Sequence, residues 1–406
     1  MSSNKKNFLL ENNIHKDYFN NNSYLKDKIR LTKTIKKIYI NLDQKKDTFH
    51  ILSKNFIFDF DKTILKKFIK YKTVIVIGIG GSALGVRSIY SFLKHKIRKN
   101  FIFLDNLDES KIEIIMKEKK LKNNLFIIIS KSGNTLETLI NSSMLKDKIS
   151  PKNTIVITEE KNNLLNNFAK RKKITHITHK NYIGGRYAVL SEVGMIPAYF
   201  MDLKIKNFRK DLLSFFKSKQ NLILVESIVK LAHIHNSKKI KSIIFLNYVP
   251  QLNEFLHWCQ QLMAESLGKK GKGILPMVSS APRDHHSLLQ LYLDGPKDKL
   301  FYIFSSSLKK KIKINNNIFG KSFNFIKNKE LSKVILSQKN SVTKILKRKK
   351  IPFREFKINK INEEILGELF SYFILETALV GKSIGINPFD QPAVEEVKVL
   401  TKQYLV

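Results

Sequence analysis

The segment VIVIGIGGSALG (residues 74–85) joins a run of β-branched apolar residues to a glycine turn and then to the start of a helical pattern. Such a unit is typical of a parallel α/β sheet whose turn offers backbone N–H groups to a phosphate. Gly78, Gly80 and Ala83 fit the dinucleotide fingerprint Gly-x-Gly-x-x-Gly/Ala, and Asp105 follows at about the spacing of a ribose-binding carboxylate. The turn alone therefore leaves open both a nicotinamide-dependent enzyme and an enzyme that binds sugar phosphates.

Short apolar runs alternate with helical patterns on both sides of the middle of the chain, which predicts βαβ units and mostly parallel sheets. The predicted strands cover residues 73–79, 101–105, 125–130, 153–158 and 174–179 in a first series, and 241–248, 274–280, 299–305 and 351–358 in a second. Residues 206–236 and 361–384 have helical patterns. The fold class is therefore predicted as α/β, with two αβα sandwiches in tandem.

Four segments follow from this pattern. We predict an N-terminal helical segment over 1–70, a first α/β domain over 71–204, a second over 205–385, and a C-terminal helix over 386–406. The first 70 residues carry no recognisable motif, so only a packing role is expected for them.

The net charge of +40 would by itself suggest a nucleic acid or an anionic membrane as partner. However, Arg supplies only nine of the 74 basic residues, and Lys is scattered through every segment. Proteins that read nucleic acids usually cluster their charge and use Arg for bidentate contacts. We therefore expect neither nucleic acid nor membrane as partner, and the lack of a secretory or membrane-spanning apolar run predicts a cytoplasmic protein.

Cysteine and histidine give no sign of a metal site. Cys259 is the single cysteine, which excludes an intramolecular disulfide and suits a small core residue. His233 and His235 lie two apart on a helical pattern and would point to different faces, while His176 and His179 have no third ligand in view. The sequence predicts no metal.

A second loop, SKSGNTLET (130–138), follows the third predicted strand and opens a helix. Ser130, Lys131, Ser132 and Thr135 place three hydroxyls and an ammonium around this turn, where the helix dipole favours negative charge. Helix capping alone would need fewer of these groups. We interpret the loop as a site for a compact dianion such as a sugar phosphate.

Four further segments carry candidate chemistry. Arg186 lies in YIGGRYAVLSEVG (182–194), where two glycines allow close approach of the backbone to a ligand. Gln261 and Glu265 lie four apart in the helical QLNEFLHWCQQLMAESLG (251–268) and share a face, as a substrate-facing amide and general base would. Asp-His-His at 284–286 offers proton transfer, and PFDQPAVEEVK (388–398) places Gln391 and Lys398 two turns apart on one helix side, with Pro392 at its first position.

Six of these blocks together resemble the phosphoglucose isomerase family. They are, in order, GIGGSALG, SKSGNTLET, NYIGGRYAVLSEVG, QQLMAESLGKKGKG, RDHHSLLQLYLDG and ALVGKSIGINPFDQPAVEEVK. The resemblance implies two SIS-type (sugar isomerase) sandwiches. It also implies interconversion of glucose 6-phosphate and fructose 6-phosphate, a step of glycolysis and gluconeogenesis, without metal or organic cofactor.

The resemblance also implies roles for individual residues. Glu265 matches the base that moves a proton between C2 and C1, and Arg186 the cation that stabilises the enediolate. His286, rather than His285, matches the histidine that opens the sugar ring, with Lys398 assisting it. Substrate-lining and phosphate-binding positions are Gly81, Ser82, Ser130, Lys131, Ser132, Thr135, Glu137, Gln261 and Gln391. In this family the histidine comes from the neighbouring subunit, so an obligate homodimer is implied.

Two residues depart from the family pattern: Ala188 stands where Ser is usual, and Ala393 where Gly is usual. Both are small, so they bear on fine geometry more than on activity. A bifunctional phosphoglucose/phosphomannose isomerase, a non-catalytic SIS sugar-phosphate sensor and a dehydrogenase remain as alternatives.

Overall fold

The computed structural model describes residues 8–19, 21–117, 124–308, 312–315 and 318–405. The strands are β1 (Phe8–Asn13), β2 (Thr73–Ile77), β3 (Asn100–Leu104), β4 (Asn124–Ile129), β5 (Thr154–Thr158), β6 (Thr175–Thr178), β7 (Ser242–Asn247), β8 (Leu275–Ser280), β9 (Lys299–Ser306) and β10 (Phe353–Ile358). All nine predicted strands are present, within one or two residues at each end. The predicted α/β fold class is confirmed.

Helices surround these strands. They are α1 (Asn21–Ile40), α2 (Lys62–Lys66), α3 (Leu84–Leu93), α4 (Glu109–Lys117), α5 (Leu136–Met144), α6 (Leu164–Arg171), α7 (Glu192–Phe200), α8 (Ile205–Phe208), α9 (Ser218–Ser237), α10 (Asn253–Leu267), α11 (Asp284–Ser287), α12 (Leu289–Asp294), α13 (Leu331–Arg348), α14 (Glu363–Ser383) and α15 (Ala393–Tyr404). Among the described residues, no helix is long and apolar enough to cross a membrane.

The strands form two five-stranded sheets in which four parallel strands have the same connectivity; the fifth strand is the parallel β6 in the first sheet and the antiparallel β1 in the second. The first has the order β3-β2-β4-β5-β6, and the second the order β1-β10-β9-β7-β8. Except for the antiparallel β1, neighbouring strands are parallel. In each sheet the chain runs first to one side of the opening strand and then to the other. This reversal creates a crevice at the carboxyl ends of β2 and β4, and a second one at the ends of β7 and β9, where ligands of open α/β sheets bind.

The N-terminal segment differs from the helical prediction. Residues 8–13 form β1, which pairs antiparallel with β10 and covers that edge of the second sheet. Leu10 packs against the main core. The helices α1 and α2 do form, but the strand was missed because FLLENN has no clear alternation; its pairing partner lies more than 340 residues away in the sequence.

Helix α10 connects the two halves of the molecule, because it contacts α3 of the first half and α14 of the second. Its inner face is apolar and buried, including Trp258 and the single cysteine, Cys259, as predicted for a small core residue. Burial raises the pKa of the Cys259 thiol. The opposite face of α10 is left to carry the polar residues of the candidate site.

The buried His179 and the half-buried His235 make stability sensitive to acid. Burial lowers the pKa of His235 on α9 and of His179 beside β6 to about 4 each. Both ring nitrogens of His235 lack a hydrogen-bond partner among the described residues. Because the unfolded chain binds these protons below pH 6.5 and the folded chain only near pH 4, stability falls as the pH drops through this window.

We expect the substitution His235→Leu to remove part of this acid sensitivity. Each histidine accounts for about 3 kcal/mol between pH 6.5 and 4. Urea unfolding at pH 7 and pH 5 therefore gives a smaller loss of unfolding free energy for the variant than for the parent. An equal loss of unfolding free energy in the variant and the parent would contradict the role assigned to His235. The control is His15→Leu, at an exposed histidine near the N-terminus.

Candidate active site

The glycine turn after β2 lies directly against the segment that carries Arg186. A Cβ built on Gly81 would lie 2.3 Å from the carbonyl carbon of Gly185 and 2.5 Å from the backbone nitrogen of Arg186. Gly80 has a φ of +57°, and a Cβ there would lie 2.7 Å from Nε2 of Gln261. The glycines thus allow the turn, the Arg186 segment and helix α10 to meet at one point.

We expect Gly81→Ala to disrupt this contact. The new methyl group has no room against the backbone of Gly185, so activity should fall at least about tenfold and the free energy of unfolding by about 1–3 kcal/mol. Gly185→Ala is the matched control for folding, because no atom lies within 4 Å of a Cβ built there. Circular dichroism melts and rate assays of both variants test this, and equal stability of the two would contradict it.

The loop after β4 holds its hydroxyl groups together. Oγ of Ser130 and Oγ1 of Thr135 are 2.8 Å apart, and Oγ of Ser132 lies 3.4 Å from the same Thr135 atom. Ser130 Oγ also accepts from the N–H of Gly133. Thr135 precedes α5 but its side chain does not cap the helix. The hydroxyls are therefore arranged around the turn itself, as a binding site for a compact anion requires.

Lys131 in the same loop is half-buried. Its Nζ donates to the backbone oxygen of Asn181 at 2.8 Å and lies 3.6 Å from Oε1 of Glu159. Burial lowers the pKa of Lys131, Glu159 opposes this, and the charges of Lys161 and Arg186 lower it further. The loop follows β4, which pairs with β2, and the glycine turn after β2 contacts the Arg186 segment, so the loop and the Arg186 cluster lie at the same edge of the first sheet.

Arg186 is almost fully buried, and all three of its guanidinium nitrogens donate hydrogen bonds. Nε donates to Oγ of Ser266 at 2.8 Å, and Nη2 donates to the backbone oxygens of Pro388 and Asp390 at 2.8 and 2.9 Å. Nη1 donates to Oε2 of Glu265 at 3.1 Å and to Oε1 of Gln391 at 2.6 Å. This network fixes a positive charge that a flexible lysine could not replace.

Glu265 lies between two donors on the polar face of α10. Its Oε2 accepts from Arg186, and its Oε1 accepts from Nε2 of Gln261 at 2.8 Å. The side chain remains 32% exposed, whereas that of Arg186 is 2% exposed. The carboxylate is thus held in position by buried groups while one side stays accessible, which suits a group that exchanges protons with a bound molecule.

Sequence reasoning missed the residues that hold this cluster in place. Tyr187 donates to the backbone oxygen of Pro388 and shares a hydrogen bond with Ser266, and the Trp258 indole N–H donates to the backbone oxygen of Arg186. Lys269 Nζ donates to the backbone oxygen of Asn387 at 2.6 Å and pairs with Asp390 at 2.6 Å. These hydrogen bonds join segments that are far apart in the sequence. The only sequence signal for these residues is that they lie next to the matched motifs.

Other predicted residues lie near the site without a described contact in it. Ser82 ends the glycine turn, and Glu137 lies half-buried in the first turn of α5. Asp105 forms an ion pair with Arg87. No group of three or more His, Cys, Asp or Glu side chains arranged for a metal ion exists in the described part of the chain.

The structure does not bring His286 or Lys398 into the cluster of this chain. His286 is exposed on α11, while its neighbour His285 pairs with the Tyr248 hydroxyl at 2.7 Å. Lys398 is 62% exposed and pairs with Glu395 at 2.6 Å on α15. Because α15 begins at Ala393, Gln391 precedes the helix, so the predicted helical spacing from Gln391 to Lys398 is wrong. Pro392 lies at the N-cap position, one residue before the first helical position predicted for it, and makes no capping hydrogen bond.

Comparisons with known proteins agree on one family. The family model for phosphoglucose isomerase matches residues 62–282. Glucose-6-phosphate isomerase of Methanocaldococcus jannaschii is 32% identical over 89% of this chain and 91% of its own length. In fold, the chain is similar to a hypothetical protein from Thermus thermophilus (TM-score 0.81, 21% identity, 98% and 100% of the two chains) and to a glucose-6-phosphate isomerase from Chlamydia trachomatis (TM-score 0.79, 18% identity, 98% and 88%).

Proposed function

This chain belongs to the phosphoglucose isomerase family of enzymes and has glucose-6-phosphate isomerase activity, and we propose that the reaction takes place at the cluster of Arg186, Gln261, Glu265 and Gln391. The observation that carries the proposal is the position of Glu265, whose two carboxylate oxygens are held by Arg186 and Gln261. The cluster lies beside the glycine turn of β2, and the loop of Ser130 to Thr135 follows the adjacent strand β4. The phosphate group of a sugar phosphate would thus lie at the loop, and its reacting carbons would lie at the cluster.

The phosphate would bind the loop after β4. The hydroxyls of Ser130, Ser132 and Thr135 would supply hydrogen bonds, and Lys131 would supply a positive charge. Because burial lowers the pKa of Lys131, a dianion beside it would stabilise the charged form of this lysine. This binding would hold the open-chain sugar so that C1 and C2 lie at the Arg186 cluster.

Glu265 would act as the general base. Its carboxylate takes the proton from C2 of the open-chain aldose and returns it to C1, while the hydroxyl proton on O2 moves to O1; the product is the ketose. Arg186 would stabilise the enediolate oxygen that carries negative charge between the two transfers. Its Nε and Nη2 are fixed by Ser266 and two backbone oxygens, so the guanidinium would stay in place while Nη1 exchanges one of its two acceptors, Glu265 or Gln391, for the enediolate oxygen.

Opening the sugar ring would need a further acid and base, and we assign these roles to His286 and Lys398. Neither reaches the Glu265 cluster of its own chain, because His286 is exposed on α11 and Lys398 lies on α15, whose residues are almost all exposed. We infer that these elements face a second copy of the chain. Val394, Val397 and Leu400 are exposed, lie three residues apart on α15 and so form one apolar surface that a homodimer would cover.

A heterodimer tests whether His286 serves the partner's site. One copy carries Glu265→Gln and the other His286→Ala, with different tags so that only mixed dimers are purified. If the histidine crosses the interface, one of the two sites is intact and the heterodimer has about half of the wild-type rate. A histidine that acts within its own chain leaves both sites defective, so an inactive heterodimer would refute the assignment.

Lys131→Met tests the phosphate loop. Loss of a charged hydrogen bond to the substrate should raise KM for fructose 6-phosphate about 10- to 100-fold, with a smaller change in kcat. The measurement is glucose 6-phosphate formation followed through a coupled dehydrogenase. Lys161→Met is the matched control, because Lys161 binds the other oxygen of Glu159 at 2.5 Å; equal KM values for the two variants would place the phosphate elsewhere.

A further inference from the structure

Helix α11 carries two adjacent histidines that lie in different surroundings. His286 is exposed, whereas His285 is half-buried. Nε2 of His285 lies 2.7 Å from the hydroxyl oxygen of Tyr248, and the two rings meet edge to face with their centroids 5.5 Å apart. Burial lowers the pKa of His285, and the charge of His286 lowers it further, so the ring of His285 is neutral at pH 7. His285 is therefore a neutral group that is bound within its own chain.

Tyr248 is a firmly held partner for His285. It follows β7 directly and is 4% exposed. Its backbone N–H donates to the backbone oxygen of Phe304 at 2.9 Å, which continues the pairing of β7 with β9 by one residue. Burial raises the pKa of the Tyr248 hydroxyl, so this group stays protonated. The position of the hydroxyl that binds His285 is thus set by the second sheet.

Asp284, the first residue of α11, provides a second attachment to the same sheet. It is buried, and its Oδ2 accepts from the backbone N–H of Ser280 at 2.7 Å and from the hydroxyl of Ser279 at 3.0 Å. Both serines lie at the end of β8. Two consecutive side chains of this four-residue helix are therefore bound to the ends of β7 and β8.

These two attachments decide how His286 is presented. Because Asp284 and His285 are bound to the sheet, His286 is left on the exposed side of α11. A group that transfers a proton must lie within hydrogen-bonding reach of the proton, and a misplacement of about 1 Å can cost about 100-fold in rate. A histidine that acts on a sugar bound by a second copy of the chain depends on how firmly its own chain holds it.

We propose that Tyr248 and His285 are positioning residues for the isomerase reaction, because their hydrogen bond holds α11 so that His286 reaches the sugar ring. This inference rests on the proposed role of His286 in ring opening. His285 itself does not exchange protons with the substrate, and its ring serves as the link between α11 and Tyr248.

The test separates ring opening from the proton transfer between C1 and C2. Fructose 6-phosphate is supplied as a ring that must open before the transfer. The analogue 5-deoxyfructose 6-phosphate lacks O5, the oxygen that closes the ring, and so stays open, while its phosphate and its reacting carbons are unchanged. Conversion of each ketose to the aldose is followed by NMR. A variant that is defective only in ring opening converts fructose 6-phosphate slowly and the analogue at the normal rate.

Tyr248→Phe and His285→Asn should each lower kcat for fructose 6-phosphate at least about tenfold and change kcat for the analogue less than about twofold. Phenylalanine lacks the hydroxyl, and the amide of asparagine ends one bond short of the position of Nε2. His285→Gln is the matched control, because its amide is as many bonds from the backbone as Nε2 and can bind Tyr248. This variant should keep at least about half of the wild-type rate with both substrates, and a rate as low as that of His285→Asn would overturn the proposal.

His286→Ala in the same assay separates the positioning role from the proposed role of His286. It should lower kcat for fructose 6-phosphate about 100-fold and spare the analogue. If it does so while Tyr248→Phe keeps the wild-type rate, or loses the same factor with both substrates, the positioning role is overturned and the role of His286 stands. If His286→Ala keeps the wild-type rate with fructose 6-phosphate, the role of His286 and the positioning role both fail.

Discussion

Replacing Glu265 by Gln is expected to lower kcat about 100- to 10,000-fold while KM for fructose 6-phosphate changes less than about threefold. The amide keeps the shape of the side chain and can still contact Arg186 and Gln261, but it cannot take a proton from carbon. General acid–base catalysis by one side chain contributes about 100- to 10,000-fold, which sets the size of the loss. Steady-state rates in both directions measure it.

Glu113→Gln is the control for this substitution. Glu113 is exposed on α4 and pairs only with Lys117, at 2.6 Å, among the residues described, so its loss should leave kcat and KM unchanged. If the Glu265 variant kept more than about a tenth of the wild-type kcat, another group would have to serve as the base. A large rise in KM with kcat retained would instead make Glu265 a binding residue.

The second large effect is expected for Arg186→Lys, which keeps the charge and removes the planar fork. Lysine cannot satisfy Ser266, Glu265 and the two backbone oxygens of residues 388 and 390 together. We expect kcat to fall about 100- to 1,000-fold, because stabilisation of the developing oxyanion is lost. The free energy of unfolding should fall by about 2–4 kcal/mol, since buried oxygens lose their donors.

Arg98→Lys is the control, because Arg98 is exposed and lies away from the cluster. Rates and urea unfolding are measured for both variants. If the Arg186→Lys variant loses stability but keeps the wild-type kcat, the guanidinium of Arg186 has only a structural role. An unchanged stability would contradict the hydrogen-bond network itself.

The central strands could be predicted because they are short runs of mostly apolar residues that are buried on both faces. The run from Thr73 to Ile77 is an example, with four of its five residues buried. In contrast, β1 could not be predicted, since it exists through pairing with β10 at the far end of the chain. The order of the four strands that the two sheets share could not be predicted either, because strand order depends on tertiary contacts.

The candidate site was predicted in parts. Motif matches identified Arg186 and Glu265, and the structure places them 3.1 Å apart between Nη1 and Oε2. The hydrogen-bond acceptors that hold Arg186 in place were not predicted. Some of them are backbone oxygens, such as that of Pro388, which no particular side chain in the sequence indicates.

The most direct test of the account is a crystal structure of the Glu265→Gln variant with fructose 6-phosphate bound. The account predicts the phosphate within hydrogen-bonding distance of Ser130, Ser132 and Thr135, with C1 and C2 of the sugar beside residue 265 and the Arg186 guanidinium. A phosphate bound away from that loop, or reacting carbons remote from residue 265, would contradict the claim that loop and cluster form one active site.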